Sequence, residues 1–322
     1  MKEFSGKLAV ITGGGTGMGR ELARALVAQG CHVALCDLSS ENMAETRALC
    51  EAQATQGTRV TTFEADVSDE AQMQAFREAV HREHDLSHIN LLFNNAGIAG
   101  GGSFINDDRT EWERTFNVCW LGVYGTTRVF MPALLASEEG HIVNTSSVNG
   151  FWASLGPTSS HTAYSAAKFA VKGFSEALVN DLRNNAPHVG VSVVMPGHVG
   201  TSIVANTRKL QGKADALAMP AEEVATTREW LRRRQLPVDA MSDDEVRQAV
   251  HQFGVQFHDN ALTSAEDAAQ IILDGVRESR WRILVGPDAH VLDTLVREAP
   301  EDAYEPSFME VLRAKTQWGL GN

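Results

Sequence analysis

The sequence predicts a single α/β domain whose parallel sheet is doubly wound by helices on both faces. Short apolar runs alternate with amphipathic stretches through the first two thirds of the 322 residues, the rhythm of successive βα units. A glycine cluster joins the first apolar run to the first helical one. The rhythm returns at 264–285, and right-handed crossovers then place helices on both faces of the sheet. Hydrophobic residues at 43% and charged ones at 21% suffice for a full core and exclude a disordered chain.

Lys7–Thr12 reads as the first strand, and the helical run Met18–Gln29 follows the glycines. His32–Asp37 is a second strand ending in an acid, Ala44–Gln56 a helix and Arg59–Glu64 a third strand. Ser68 is predicted to cap the next helix, with Asp69 and Glu70 in the first turn beside its positive end. Ile89–Phe93 is the fourth strand. A long helix over Thr110–Leu135 follows, its end broken or kinked by Pro132. His141–Thr145, the helix Ala163–Asn184 and Val191–Met195 continue the pattern. Between 203 and 262 helical segments occur without a strand, among them Ala221–Arg234 and Asp243–Gln256. This stretch is predicted to be a lid inserted into the one domain spanning 1–322. Ser264–Ser279 and Arg282–Val285 resume the α/β pattern, and 288–322 reads as a helical tail.

Twenty-eight Lys and Arg face 41 Asp and Glu, a net charge of −13, which repels polyanions and argues against a nucleic-acid partner. The run Arg232-Arg233-Arg234, flanked by Glu229 and Asp239, reads as a solvated helix face. The N-terminal residues lack the pattern of a secretory leader, and no run approaches the roughly 18 apolar residues of a membrane span. Cys31, Cys36, Cys50 and Cys119 have no CxxC spacing and read as reduced thiols. The expectation is a cytoplasmic protein with no membrane partner. His81, His84 and His88 are spaced like helix neighbours, but no acid completes a ligand set, so no metal is expected.

Thr12-Gly13-Gly14-Gly15-Thr16-Gly17-Met18-Gly19 lies where the first strand meets the first helix. Glycines there allow a tight turn and let backbone N–H groups approach a pyrophosphate at the helix N-terminus. The spacing is GxxxGxG rather than GxGxxG, and no Lys-Ser/Thr follows, which excludes a P-loop. Asp37 follows Gly19 by 18 residues, near the place where an acid accepts a ribose 2′-hydroxyl in a Rossmann-type fold. Its charge would repel a 2′-phosphate, and no Arg or Lys precedes Arg20 in the loop. NAD is therefore expected over NADP. The bland alternative makes Asp37 a helix cap or a loop acid.

Tyr164-Ser165-Ala166-Ala167-Lys168 puts a phenol and an ammonium on one helix face. A phenol of pKa about 10 needs a few kcal/mol of stabilisation to work near neutrality, which Lys168 together with the positive nicotinamide ring of an oxidised cofactor could supply by favouring the charged form. Alone, such a pair is an ordinary helix surface. It does not stand alone. Thr12–Gly19, Asp66-Val67, Asn94-Asn95-Ala96-Gly97, Asn117, Ser147-Val148-Asn149-Gly150, Tyr164/Lys168 and Pro196-Gly197 follow one another in a characteristic order. In that order the chain resembles the short-chain dehydrogenase/reductase family over about residues 5–201, and again more weakly over 264–286.

The resemblance implies roles. Tyr164 would be the general acid/base, Lys168 would lower its pKa and bind the nicotinamide ribose, and Ser147 would polarise the substrate oxygen. Asn117 would bind a water linking Lys168 to solvent. Gly13, Thr16, Gly17 and Met18 would meet the diphosphate and Asp37 the adenosine ribose. Asp66 and Val67 would flank the adenine. Asn94, Ala96 and Gly97 would line the adenosine ribose, and Val199 and Thr201 would hold the carboxamide. The family also implies a homodimer or homotetramer packed through Thr110–Leu135 and Ala163–Asn184.

Two features depart from the family. Ser147 and Tyr164 are 17 residues apart, more than usual, with Pro157–Thr162 as the inserted piece. Ser146 is the rival serine, but neighbours on a strand face opposite sides, and Ser147 directly precedes Val148-Asn149-Gly150. The second departure is the lid. Phe151 and Trp152, with Val204, Leu210, Leu217, Met219, Trp230 and Leu231, would wall a site for a bulky hydrophobic secondary alcohol or ketone. Alternatively the inserted segment's apolar residues form a small core of their own. His161 and His198 could touch substrate. The competing functions are an NADPH-dependent carbonyl or ketoacyl reductase and a non-catalytic dinucleotide-binding regulator.

Overall fold

A computed structural model of the protein describes residues 1–157, 159–233, 236–316 and 318. Thr158 of the predicted insertion, Arg234 at the end of the predicted helix 221–234, and tail residues 317 and 319–322 lie outside the described residues. In chain order the first half contains β1 (Leu8–Thr12), α1 (Gly17–Val27), β2 (His32–Asp37), α2 (Ser40–Gln53), β3 (Val60–Glu64), α3 (Glu70–His84), β4 (Leu91–Asn94), α4 (Arg109–Phe116), α5 (Gly122–Leu135) and β5 (Gly140–Thr145). The second half contains α6 (Thr162–Asn185), β6 (Val189–Pro196), β7 (Val199–Gly200), α7 (Ile203–Leu210), α8 (Ala221–Arg233), α9 (Asp243–Asp259), β8 (Thr263–Ser264), α10 (Ala265–Arg277), β9 (Arg282–Val285), α11 (Pro287–Glu298) and α12 (Pro306–Lys315).

Seven strands form one sheet in the order β3-β2-β1-β4-β5-β6-β9, every neighbouring pair parallel. Strand periodicity divides the core into two layers. Ala9 and Ile11 of β1 face α1 and α10, meeting Leu22, Leu26, Ile272 and Val276. Leu8 and Val10 face the other way, into Phe76 of α3, Phe130 of α5 and Leu182 of α6. The doubly wound α/β sheet read from the sequence is the fold observed.

Local differences have local causes. Asp69, not Ser68, caps α3, accepting from Ala71 N at 2.9 Å and Gln72 N at 3.2 Å. The Ser68 hydroxyl is committed to Asp66 at 2.7 Å. The helix expected over Thr110–Leu135 is instead α4 and α5 joined by a π-turn, Asn117–Leu121, in which Gly122 N–H donates to Asn117 O. Pro132 is accommodated in the last turn of α5. The run Arg109–Leu135 is long and apolar enough to cross a membrane, contrary to the expectation that no such stretch exists, but half of its most apolar window is buried inside the fold.

Residues 203–262 do build a small core, with Met219, Val224, Leu231, Val238 and Val246 packed together. Arg232 and Arg233 pair with Glu229, and Arg232 also with Asp239, so these charges are neutralised on their own helix and its following turn. Of the three helix-spaced histidines, His84 is buried with Nε2 2.9 Å from Thr61 Oγ1, and His81 Nδ1 lies 2.7 Å from Leu86 O.

One buried histidine ties stability to pH. His141 of β5 is 4% exposed with Nε2 2.8 Å from Ser192 Oγ, and burial, with the N-terminal charge, lowers its pKa to about 4. The folded state therefore holds the neutral ring. Its contribution is complete above the unfolded value near 6.5 and is lost as pH falls toward 4, up to about 3 kcal/mol. Urea midpoints should drop across that window, to which His84, lowered by burial to about 4 as well, also contributes; His141→Gln should make the drop shallower, and an unchanged slope would remove His141 as one of its sources.

Candidate active site

The site begins where β1 ends. Gly13 has φ +66, and a Cβ there would sit 2.8 Å from Ala96 Cα, so only glycine allows this approach. A Cβ at Gly19 would strike the Gly13 carbonyl. Thr12 Oγ1 donates to Phe93 O at 3.3 Å and accepts from Asn95 N and Ala96 N, both at 3.0 Å. Asn95 Nδ2 donates to Thr12 O and Gly13 O. The glycine turn is thereby tied to the end of β4. Asn94, expected at the adenosine ribose, is instead buried and donates to Thr127 Oγ1 at 2.9 Å and Asn144 Oδ1 at 2.7 Å. Consecutive residues at a strand end point apart; Asn94 went into the sheet and Asn95 to the turn.

Asp37 ends β2 with Oδ2 accepting from Gly15 N at 3.0 Å and Oδ1 from Ser39 N at 3.1 Å. The cap of α2 is Ser39. A cleft of about 260 Å³ brings together Gly13, Thr16, Asp37, Asp66, Val67, Ala96 and Gly97. Its opposite wall includes Arg114, Val118 and, from α7, Asn206, Lys209 and Leu210. Asn206 Nδ2 donates to Thr16 Oγ1 at 2.9 Å, so the inserted segment reaches the glycine turn. Thr16, the N-cap of α1, makes no side-chain cap bond. A turn without Cβ atoms, open first-turn amides and an acid at the end of β2 are the parts an NAD-type dinucleotide needs. These residues fit one. A wider hollow of about 560 Å³ beside Arg77, His81 and Pro132 gathers none of them.

Thr201 packs its methyl toward Gly17. Val199 is buried in the core beside α10, and Met18, partly buried, packs against the same cluster. Val199 pairs with Thr263 across β7 and β8.

α6 carries Tyr164 and Lys168 one turn apart. Lys168 Nζ lies 5.3 Å from the Tyr164 ring centroid and donates to Thr145 O at 2.8 Å. Ser147 is 7% exposed and its Oγ accepts from Asn149 N at 3.1 Å; the same hydroxyl favours the Tyr164 phenolate. Ser146 Oγ points the other way and donates to Lys168 O at 2.7 Å. Asn117 opens the π-turn, a local irregularity of the kind that re-aims side chains at functional positions. The lowering expected at Tyr164 relies on Lys168 together with the positive ring of an oxidised nicotinamide; the chain's own groups shift the phenol the other way. Burial pushes the phenol up, Cys119 adds to it and Ser147 opposes it. Burial also lowers the Lys168 ammonium. Desolvation outweighs the attraction of a cation that is bonded to a backbone carbonyl.

Gly97 joins the two halves of the site. A Cβ there would lie 3.6 Å from Lys168 Nζ and 3.8 Å from Cys119 Sγ, and Gly97 also lines the dinucleotide cleft. Cys119, which donates to Ile98 O at 3.3 Å, was read only as a reduced thiol; its position two residues after Asn117 was the available signal.

The expected substrate wall is rearranged. Trp152 is 1% exposed and packs with Phe308 and Trp318, donating from its indole to Ala303 O at 2.7 Å. Phe151 leans on the same tail cluster. Neither faces the phenol. Val204 turns toward Gly254 of α9, inside the inserted segment. Leu210 of α7 instead joins Ile98, Phe116, Trp120 and Tyr164. His161 is brought in, its ring centroid 4.6 Å from that of Tyr164. His198 is not; its ring sits 4.6 Å from Phe257.

Comparisons with known proteins show the family. Residues 7–212 match the short chain dehydrogenase family. SadH of Mycobacterium tuberculosis, an oxidoreductase by its name, is 34% identical over 297 residues, 92% of each chain. A short chain dehydrogenase/reductase from Burkholderia phymatum, solved in complex with NAD, superposes with TM-score 0.74 and 31% identity over 95% of this chain and 98% of that one. Levodione reductase superposes with TM-score 0.64 and 25% identity, covering 88% and 96% of the two chains. The chain belongs to the short-chain dehydrogenase/reductase family.

Proposed function

We propose that this short-chain dehydrogenase/reductase is an NAD-dependent oxidoreductase acting on a bulky hydrophobic secondary alcohol or its ketone, with Tyr164 as general acid/base. The observation that carries the proposal is Gly97, which touches the dinucleotide cleft on one side and approaches Lys168 Nζ on the other. When bound, the nicotinamide supplies or accepts the hydride. Everything else belongs to the chain. Ser147 holds the substrate oxygen beside the Tyr164 hydroxyl, and the phenol gives its proton to that oxygen during reduction and takes it back during oxidation. Lys168 orients the ribose, and Asn117 passes protons to solvent through a water. Tyr164 shares an apolar cluster with Ile98, Phe116, Trp120 and Leu210, which favours an apolar substrate, with His161 at its rim and the 203–262 segment as the lid.

Asp37 favours NAD, because its carboxylate at the end of β2 would face a 2′-phosphate. The NADPH reading draws on Arg114 and Lys209, two cations on the cleft wall. Initial rates with NADH and NADPH against a graded series of apolar ketones separate the two. NADH should be the better donor, and Asp37→Ala should narrow the gap by about tenfold, the effect of roughly 1.4 kcal/mol. A wild type that prefers NADPH sinks the assignment of Asp37.

A homodimer or homotetramer is part of the proposal. Leu121, Tyr124 and Phe169 are exposed on the α4–α5 run and on α6, beside the aromatic group Trp120, Tyr124 and Phe174. The four cysteines are free and buried, which suits a reducing, cytoplasmic setting.

A further inference from the structure

We propose that Asp288, at the start of the tail helix, is a positioning residue for the nicotinamide end of the cofactor site. It acts through the turn Gly197-His198 that leads to Val199 and Thr201. The inference rests on the NAD-dependent reading above.

Asp288 is the second residue of α11 and 1% exposed. Its Oδ2 accepts from His198 N at 2.7 Å, across 90 residues of sequence. A Cβ at Gly197 would collide with the carboxylate, and one at Gly286, where φ is +99, would sit 2.6 Å from Oδ1. Glycines on both sides let the acid reach the backbone. On the opposite side of the turn, His198 Nε2 lies 2.7 Å from Phe257 O of α9, and a Cβ at Gly200 would sit 2.7 Å from His258 O. The turn is gripped between the tail acid and the last turns of α9. Thr201, immediately beyond, packs toward Gly17 of the phosphate loop.

Packing alone does not account for an acid at this place. Among the described residues Asp288 Oδ1 is buried without a hydrogen-bond partner, which makes the carboxylate a poor stabiliser of a dry core. Burial pushes the Asp288 carboxyl up, and the backbone amides of His198 and of the start of α11 only partly oppose it. Its hydrogen bond across the fold is spent on one peptide of a turn whose next residues stand at the nicotinamide. Loosening that peptide would let Val199 and Thr201 shift while the glycine turn, 180 residues earlier in the chain and held by Asn95 and Asp37, stays in place.

Selectivity between two ligands tests this in the full-length protein. NADH and ADP-ribose share adenosine and diphosphate, and only NADH carries nicotinamide. Asp288→Ala should weaken NADH binding by about tenfold and raise KM for NADH while ADP-ribose affinity stays at the wild-type value. Asp288→Asn, which keeps an acceptor for His198 N, should recover most of the NADH affinity. Equal weakening of both ligands, the result of a general structural role, overturns the proposal, as does unchanged NADH binding. If the alanine variant does not fold, the asparagine variant carries the test: a loss of about threefold confined to NADH supports it, and equal changes overturn it. A wild type that binds neither ligand sinks the NAD-dependent reading itself, and this inference with it.

Discussion

Tyr164→Phe should bind NADH as tightly as the wild type and lower turnover of an apolar ketone by about 10²–10⁴-fold, the worth of a positioned proton donor. The substitution removes one oxygen and leaves the ring. That ring keeps its neighbours: the His161 ring at 4.6 Å and the Lys168 ammonium at 5.3 Å. The residues expected at the adenosine and diphosphate, among them Gly13, Thr16, Asp37 and Asp66, line a cleft on the far side of Gly97, so most of the cofactor's contacts are untouched by the change. Stopped-flow binding of NADH beside steady-state rates reads both. Turnover equal to the wild type would remove Tyr164 as the proton donor and leave Ser147 or His161 to be tested in its place.

Trp152→Ala should destabilise the protein by about 3–5 kcal/mol, as large-to-small changes at buried aromatic positions do. The indole is enclosed by Phe308 at 5.6 Å and Trp318 at 5.7 Å between ring centroids, and its N–H bond to Ala303 O is lost as well. The same cluster contains Val148, the residue after Ser147, so the loss spreads toward the serine. Urea denaturation should show a midpoint well below the wild type, and limited proteolysis should cut first in 299–316. A midpoint within a few tenths of a kcal/mol of the wild type would mean the tail packs without its central side chain. The sequence assigned Trp152 to the substrate, and this experiment separates the two roles: a substrate-wall residue changes KM at unchanged stability.

The division between what was legible in the sequence and what was not follows the range of the interactions. Strand and helix periods, the glycine turn at 13–19 and the i, i+4 pair Tyr164/Lys168 are local, so β1, α1 and the dyad could be placed from residues alone. Asn94 and Asn95 show where local pattern fails. Both suit a turn, and only the hydrogen bonds to Asn144 in β5 and to Thr12 in β1 decide which faces the loop. The π-turn at Asn117 was hidden for a related reason, since helical periodicity continues through Thr110–Leu135 and one extra residue in a turn leaves no compositional mark.

By itself the sequence determined the doubly wound sheet, the glycine turn, the acid after β2, and the order of motifs that identifies the family. Only tertiary structure decided that Phe151 and Trp152 pack with the tail, that Leu210 shares a cluster with Tyr164 while Val204 turns toward Gly254, and that burial closes over the phenol. The physical reason is distance along the chain. Trp152 meets Ala303 across 151 residues and His198 meets Asp288 across 90, while desolvation depends on every atom that closes over a group. Neither can be summed from neighbours in sequence.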